Sequence, residues 1–300
     1  MCGIVGYVGL KPAIDILLDG LEQLEYRGYD SSGIALKCKD SINVYKAVGK
    51  LKNLRDVLAS HMNELSDANV GIGHIRWATH GAPTVVNAHP HTCNCGNLVV
   101  VHNGIIENYK ELKEKLEALG CEFRSQTDTE TVAHLVAQKY AQTKDLIKAV
   151  HQAVGEIEGA YALAIMHNEE PGKLVITKRN APLVVGIGEN EYYAASDIPA
   201  FIKHTNKAVY LNDNQVATIT KDSLVIEDEK GNNIPAKIEQ LPWESVALSK
   251  MGYKHFMLKE IHEQPDVVRN VLQGKLKGAD KPVILDEVKI DSDTLKKLER

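Results

Sequence analysis

CGIVGYVGLKPAIDILLDGLEQL, residues 2–24, begins as a glycine-rich apolar run and passes into Ile14, Leu17, Leu18, Leu21 and Leu24 at helical spacing. A buried strand followed by an amphipathic helix is the expected start. GIALKCK (33–39) and INVYKAV (42–48), separated by a polar turn at Asp40 and Ser41, read as a hairpin. VGIGHIRWA (70–78) and NLVVVHNG (97–104) are two more buried strands. The loop between them, THGAPTVVNAHPHTCNCG (79–96), is too rich in Pro, Thr and Asn for regular structure. From Glu107 to about Val154 the pattern turns helical. YKELKEKLEALG (109–120) ends on glycine, and DTETVAHLVAQKY (128–140) opens on Asp128 in N-cap position; the two are expected to pack as an antiparallel pair. Beyond Gly159 the chain is strand-rich again, with YALAIMH, KLVITKR, LVVGIG, YYAAS, AVYL, QVATI and LVIED broken at short intervals by turn residues. Strands, then helices, then strands, with little βαβ alternation, predict an α+β fold in which helices cover stacked antiparallel sheets.

Near Pro242 the character shifts to a polar connector and then to YKHFMLKEIHEQPDVVRNVL (253–272), an amphipathic helical stretch expected to be interrupted at Pro265. DSDTLKKLER (291–300) ends within a helical pattern. The expected organisation is therefore one large domain over residues 1–240, followed by a linker and the start of a second domain over 241–300.

With 300 residues, 44% of them hydrophobic, the chain can bury a sizeable core. Its 35 basic and 40 acidic residues are scattered, which argues against a nucleic-acid partner. No secretory signal opens it and no apolar run approaches the roughly 18 residues that span a bilayer, so a cytoplasmic protein without membrane contact is expected. Five cysteines, an odd and sparse set, are expected to be free thiols. The Gly71-x-Gly73 and Gly186-x-Gly188 pairs lack the rest of a dinucleotide fingerprint, and no cofactor is expected. HPHTCNC (89–95) offers four potential metal ligands, but alternate residues of an extended segment do not converge on one point, and no metal is expected.

Cys2 reads in isolation as a small hydrophobe opening the first strand, or alternatively as a nucleophile. Removal of Met1 would leave its thiol and a free α-amino group on one residue, with ordinary pKa values of about 8.5 and about 8, close enough for the amine to take the thiol proton. One residue then supplies nucleophile and base.

The company Cys2 keeps resembles a family. CGIVGYVG at the N-terminus, LEYRGYDSSGIA (24–35), GHIRWATHG (73–81), NAHPH (87–91), VHNGIIEN (101–108) and TDTE (127–130) together resemble the class II glutamine amidotransferases, in the family's order. The resemblance implies a four-layer αββα sandwich of the N-terminal-nucleophile hydrolase type and hydrolysis of L-glutamine to glutamate and ammonia through a Cys2 thioester. It assigns Arg76 to the substrate α-carboxylate, a role suited to a guanidinium, and Asp128 to the α-ammonium. Asn103 and Gly104 would form the oxyanion hole, although Asn103-Gly104 in isolation reads as a hairpin turn. Thr79 and His80 belong to a loop over bound glutamine, His89 to the NAHPH motif, Trp77 to an ammonia gate and Arg27 to the surroundings of the thiol, where a surface ion pair is the alternative. RGYDS and YKHFMLKEIHEQP (253–265) are similar to members that supply ammonia for amino-sugar synthesis. In those homodimeric enzymes a sugar isomerase domain aminates fructose 6-phosphate, a step the 300 residues alone are not expected to perform. Another amidotransferase of the class, an N-terminal-cysteine hydrolase of a different amide, and a catalytically silent glutamine-binding module are the competing readings.

Overall fold

The computed structural model describes residues 2–241 and 256–272. The chain runs β1 (Gly3–Val8), α1 (Ala13–Leu24), β2 (Ser31–Lys37), β3 (Ile42–Val48), α2 (Leu51–Leu58), α3 (Met62–Leu65), β4 (Val70–Arg76), β5 (His91–Thr92) and β6 (Leu98–Ile106). Three helices follow, α4 (Tyr109–Ala118), α5 (Thr129–Thr143) and α6 (Leu146–Val154). Then come β7 (Gly159–His167), β8 (Leu174–Arg179), β9 (Val184–Ile187), β10 (Tyr192–Ala195), β11 (Lys207–Tyr210), β12 (Val216–Ile219), β13 (Leu224–Glu227), β14 (Asn233–Ile234) and β15 (Glu239–Gln240). One sheet has the order β15-β11-β9-β10-β1-β4-β2-β3, the other β14-β13-β12-β8-β7-β6-β5, and the pairings are antiparallel.

Three apolar clusters separate four layers, as expected from the sequence. Leucines of α1 and α2 pack on one face of the first sheet. Ile4, Val8, Ile72, Val99, Val101, Ala162 and Ile176 interleave between the sheets. Leu98, Val100 and Ile106 on the far face of the second sheet meet α4, α5 and α6. Along β1 the side chains alternate: Ile4 and Val8 point between the sheets, Val5 and Tyr7 towards the helices.

Bare backbone on β4 seats helix α1. A Cβ added at Gly73 would stand 3.0 Å from Leu21 Cδ1, and one at Gly71 2.8 Å from Leu17 Cδ1. Glycine there lets the leucine row lie directly on the sheet.

The chain divides into two units, Met1–Ala247 and Leu248–Arg300. Of the second, α7 (Phe256–Leu272) is described. It runs through Pro265 without the expected interruption. A proline lacks one N–H and loses a single i to i−4 bond, while the bonds of the turns on either side remain. The expected helix within 291–300 lies outside the described residues. No described helix is long and apolar enough to cross a membrane.

Leu21 has no exposed surface. Leu21→Ala is expected to lower stability by about 2–5 kcal/mol, read from denaturant unfolding monitored by circular dichroism.

Candidate active site

Strand register brings the predicted residues together. Gly3 pairs with Ile75, so Cys2 falls opposite Arg76 at the end of β4, and Ile4 falls opposite His74. Ile4 and Ile72 lie in the inter-sheet layer, so two-residue alternation aims Cys2, His74 and Arg76 into the same space. Val99 and Val101 set the same face on β6, which brings Asn103 up from the opposite sheet. At this end of the sandwich the apolar filling stops and a cavity of about 290 Å³ opens. Cys2, Arg27, Arg76, Trp77, Thr79, His80, His89, Asn103, Gly104 and Asp128 all line it.

The Cys2 thiol receives a hydrogen bond from the Trp77 backbone N–H at 3.2 Å and lies 3.4 Å from the Trp77 carbonyl. Burial raises its pKa above the ordinary thiol value; the Trp77 N–H and the Arg76 charge lower it, while Asp30 raises it, and burial prevails. Asn103 Nδ2 donates to the Cys2 carbonyl oxygen at 3.3 Å and to Ser196 Oγ at 2.8 Å.

His74 fixes which way the Asn103 amide faces. His74 Nε2 lies 3.0 Å from the His102 carbonyl oxygen and 2.9 Å from Asn103 Oδ1. A backbone carbonyl only accepts, so Nε2 carries the ring proton, Oδ1 receives it, and Nδ2 is turned towards Cys2. Gly104 lies inside β6, which excludes the hairpin-turn reading of Asn103-Gly104. Its φ is +126°, and an added Cβ would meet the Ala160 carbonyl oxygen at 2.0 Å, so no other residue fits.

Arg76 is 97% buried, and its guanidinium holds the neighbouring loop. Nη1 donates to the Ala82 carbonyl at 3.2 Å, and Nη2 to Gly81 at 3.0 Å and to the His80 carbonyl. Asp30, beneath the same segment, accepts from the Ala78 N–H and donates its own N–H to the Arg76 carbonyl at 3.2 Å. Arg27 Nη1 reaches the Ser196 carbonyl at 3.3 Å and Asp197 at 3.4 Å. Trp77 stands at the rim, 53% exposed.

Asp128 departs from its expected capping role. It occupies the N-cap position of α5, but its φ and ψ, −65° and −28°, are helical and its side chain makes no cap bond. Oδ2 instead accepts the Ile106 N–H at 2.8 Å and lies 4.0 Å from His102 Nδ1. The strand β6 supplies a buried donor that outcompetes the helix terminus for the carboxylate.

Four buried histidines surround this end of the sandwich: His74, His89, His91 and His102. Burial, above all, brings the pKa of His74 and of His91 down to about 3 and lowers those of His89 and His102. Thr129 Oγ1 sits 2.9 Å from both His89 Nε2 and His102 Nδ1, and His91 Nε2 lies 3.0 Å from Thr127 Oγ1. Of the residues that shape the site, the roles of His74, His102, Thr129, Ser196 and Asp30 were not read from sequence. His74 and His102 did carry a signal, a polar residue within an otherwise apolar buried strand. Ser196 carried none. No group of three or more His, Cys, Asp or Glu among the described residues is arranged to hold a metal.

Comparison with known proteins agrees with this geometry. A glutamine amidotransferase domain profile matches residues 39–255. The glutamine–fructose-6-phosphate aminotransferase (isomerizing) of Methanosarcina acetivorans is 46% identical over 309 aligned positions, covering all of this chain and 49% of that protein. The protein of the same name from Symbiobacterium thermophilum is 45% identical over 300, covering all of this chain and 48% of its own length. The chain thus spans about half the length of these curated relatives. Among solved structures, glutamine phosphoribosylpyrophosphate amidotransferase from B. subtilis superimposes with a TM-score of 0.65 at 26% identity, over 77% of this chain and 50% of that one.

The neutral histidines make stability depend on pH. An unfolded histidine titrates near 6.5, whereas folded His74 and His91 resist protonation down to about 3. Between these values the unfolded chain binds more protons than the folded one, so stability is full above about pH 6.5 and is lost as pH falls. Each such histidine contributes up to about 1.4 kcal/mol per pH unit in that window. Urea midpoints measured from pH 7 to pH 5 are expected to fall steadily; a flat profile would contradict the buried neutral cluster.

Proposed function

This chain belongs to the glutamine amidotransferase domain family, and from that premise we propose that its cavity hydrolyses the side-chain amide of L-glutamine. The observation that carries the reading is the Asn103 amide, 3.3 Å from the Cys2 carbonyl oxygen, a donor held beside the nucleophile. The Cys2 sulfur attacks the amide carbon as its proton passes to the α-amino group that Met1 removal exposes. Negative charge forms on the amide oxygen, where the Gly104 N–H and Asn103 Nδ2, which exchanges its bond to the Cys2 carbonyl, receive it. The carbon–nitrogen bond breaks, the α-ammonium returns its proton, and ammonia leaves a γ-glutamyl thioester on Cys2. Water, deprotonated by the same amine, releases glutamate.

Arg76 has an Nε–H and one Nη1–H beyond the three bonds to the loop, enough to take a carboxylate. In this reading the α-carboxylate of glutamine is held at Arg76 and the α-ammonium at Asp128, whose second oxygen accepts no hydrogen bond among the described residues. Thr79 and His80 close over the substrate because the loop that carries them is tied to Arg76. Arg27, Trp77 and His89 complete the wall, with Trp77 at the rim where ammonia leaves.

The names of these relatives join glutamine to fructose 6-phosphate. For the whole protein we propose the same coupling: residues 1–240 generate ammonia, and residues 241–300 lead into a sugar isomerase domain in which it aminates fructose 6-phosphate to glucosamine 6-phosphate.

The test is glutamate release from L-glutamine, with intact mass recorded on the same sample to report Met1. Processed protein is expected to turn over, and protein retaining Met1 to be inactive. Cys2→Ala should abolish turnover while still binding glutamine, and Asn103→Ala should lower kcat by about 10²–10³-fold. Turnover by Cys2→Ala would overturn the reading.

A further inference from the structure

The CNC end of the HPHTCNC segment, residues 93–95, has no part in the reaction above and forms a second thiol site. Cys93 and Cys95 occupy the first and third positions of a turn between β5 and β6, closed by the Gly96 N–H donating to the Cys93 carbonyl at 3.0 Å. The Cys93 N–H donates to the Leu98 carbonyl at 3.2 Å and continues the β5–β6 ladder, so the first thiol is fixed by the sheet. Asn94, between the two, is clamped from both sides: its Nδ2 donates to the Glu122 carbonyl at 2.8 Å and its Oδ1 accepts the Glu122 N–H at 3.0 Å. The result is a sulfur–sulfur separation of 3.0 Å. Forming a disulfide of about 2.05 Å needs a closure of only about 1 Å.

The two thiols are not equivalent. Cys93 is buried and Cys95 is exposed. Burial, reinforced by its hydrogen bond to Cys95, pushes the Cys93 thiol up to about 11. Cys95 is therefore the sulfur a solvent oxidant meets, and Cys93 the one waiting behind it. Cys93 and Asn94 also line a cavity of about 400 Å³ with Lys46 and Arg124. Glu130 lines it too, but its carboxylate is occupied by the Arg124 and Ser125 N–H groups at 2.9 and 2.6 Å. Glu130 stays ionised, so Lys46 and Arg124 leave this lining with one net positive charge on the Cys93 side of the pair, which suits an anionic reactant.

We propose that Cys93 and Cys95 form a reversible intramolecular disulfide by exchange with an anionic low-molecular-weight disulfide of the glutathione type. The Cys95 thiolate attacks one sulfur of the small disulfide, forming a mixed disulfide and expelling one thiolate. Cys93, losing its proton to solvent, then attacks Cys95 Sγ and expels the second. Both protein thiols are oxidised, and the small disulfide is reduced to two thiols.

Digestion with trypsin isolates the pair, because cleavage after Arg76 and Lys110 gives one peptide, residues 77–110, whose cysteines are Cys93 and Cys95 alone. The native 300-residue chain is treated with oxidised glutathione, alkylated and digested. The peptide is expected without alkylation and about 2 Da below its reduced mass, the loss of two hydrogens, and with two alkyl groups if dithiothreitol precedes alkylation. In Cys93→Ser the same peptide should carry one glutathione on Cys95, with no internal closure. A wild-type peptide that stays doubly alkylated, or that stops at the glutathione adduct, overturns the proposal.

Discussion

The site depends on how two sheets pack face to face. Apolar side chains from β1 and β4 interleave with those of β6 and β7 in the middle layer, and this burial dominates the free energy that fixes strand register. Since side chains alternate, register decides every side chain's direction at once. The pairing that sends Ile4, Ile72 and Val101 inwards also sends Cys2, Arg76 and Asn103 inwards, a few residues further along the same strands. A one-residue slip of β4 against β1 would place Arg76 on the helix side. The polar cluster is thus positioned by apolar contacts beside it, and α1, seated on Gly71 and Gly73, holds the outer face of the same strands.

Carrying polar groups to the end of a dry layer has an electrostatic cost, which is met with neutral histidines. His74, His89, His91 and His102 are buried and their pKa values are depressed, so near pH 7 none adds charge. A neutral ring has one donor and one acceptor, which makes it directional. His74 uses its proton to orient Asn103, and the Thr129 hydroxyl links His89 to His102. Charge is kept for Arg76 and Asp128. Arg76 is neutralised in part by three loop carbonyls, so the loop covering the cavity and the cation inside it are mutually dependent.

Much of this was legible in the sequence because local patterns and tertiary structure agree. The apolar runs at residues 70–78 and 97–104 read as buried strands, and the spacing of Ile14 to Leu24 as a helix. The ten site residues came from motifs, and the structure gathers them around one cavity. Two of the three misses share a cause. Asp128 has the identity and position of a helix cap, yet a strand N–H distant in sequence takes its carboxylate. Pro265 has a strong local preference to end a helix, which the structure overrides. Ser196, which receives the Ile4 N–H and the Asn103 amide, became visible only when β10 paired with β1. Asp128 and Ser196 depend on contacts across more than the window a pattern can read.

The same geometry narrows the choice of base in the proposed reaction. Cys2 Sγ has no side-chain hydrogen-bond partner among the described residues; the Trp77 backbone alone touches it. Its raised pKa keeps it a thiol near neutrality, so a proton has to be taken from it. His74 carries its proton on the nitrogen that faces Asn103, and His89 and His102 are turned to Thr129. None of these rings is hydrogen-bonded to Cys2 Sγ. An α-amine on Cys2 itself, with an ordinary pKa near 8, is matched to the task and needs no other residue to position it. Removal of Met1 would then create the base and free the nucleophile in one step, whereas a chain that keeps Met1 has a peptide nitrogen at that place, which accepts no proton. Among the described residues no histidine is hydrogen-bonded to Cys2 Sγ, which favours the terminal amine as the proposed base.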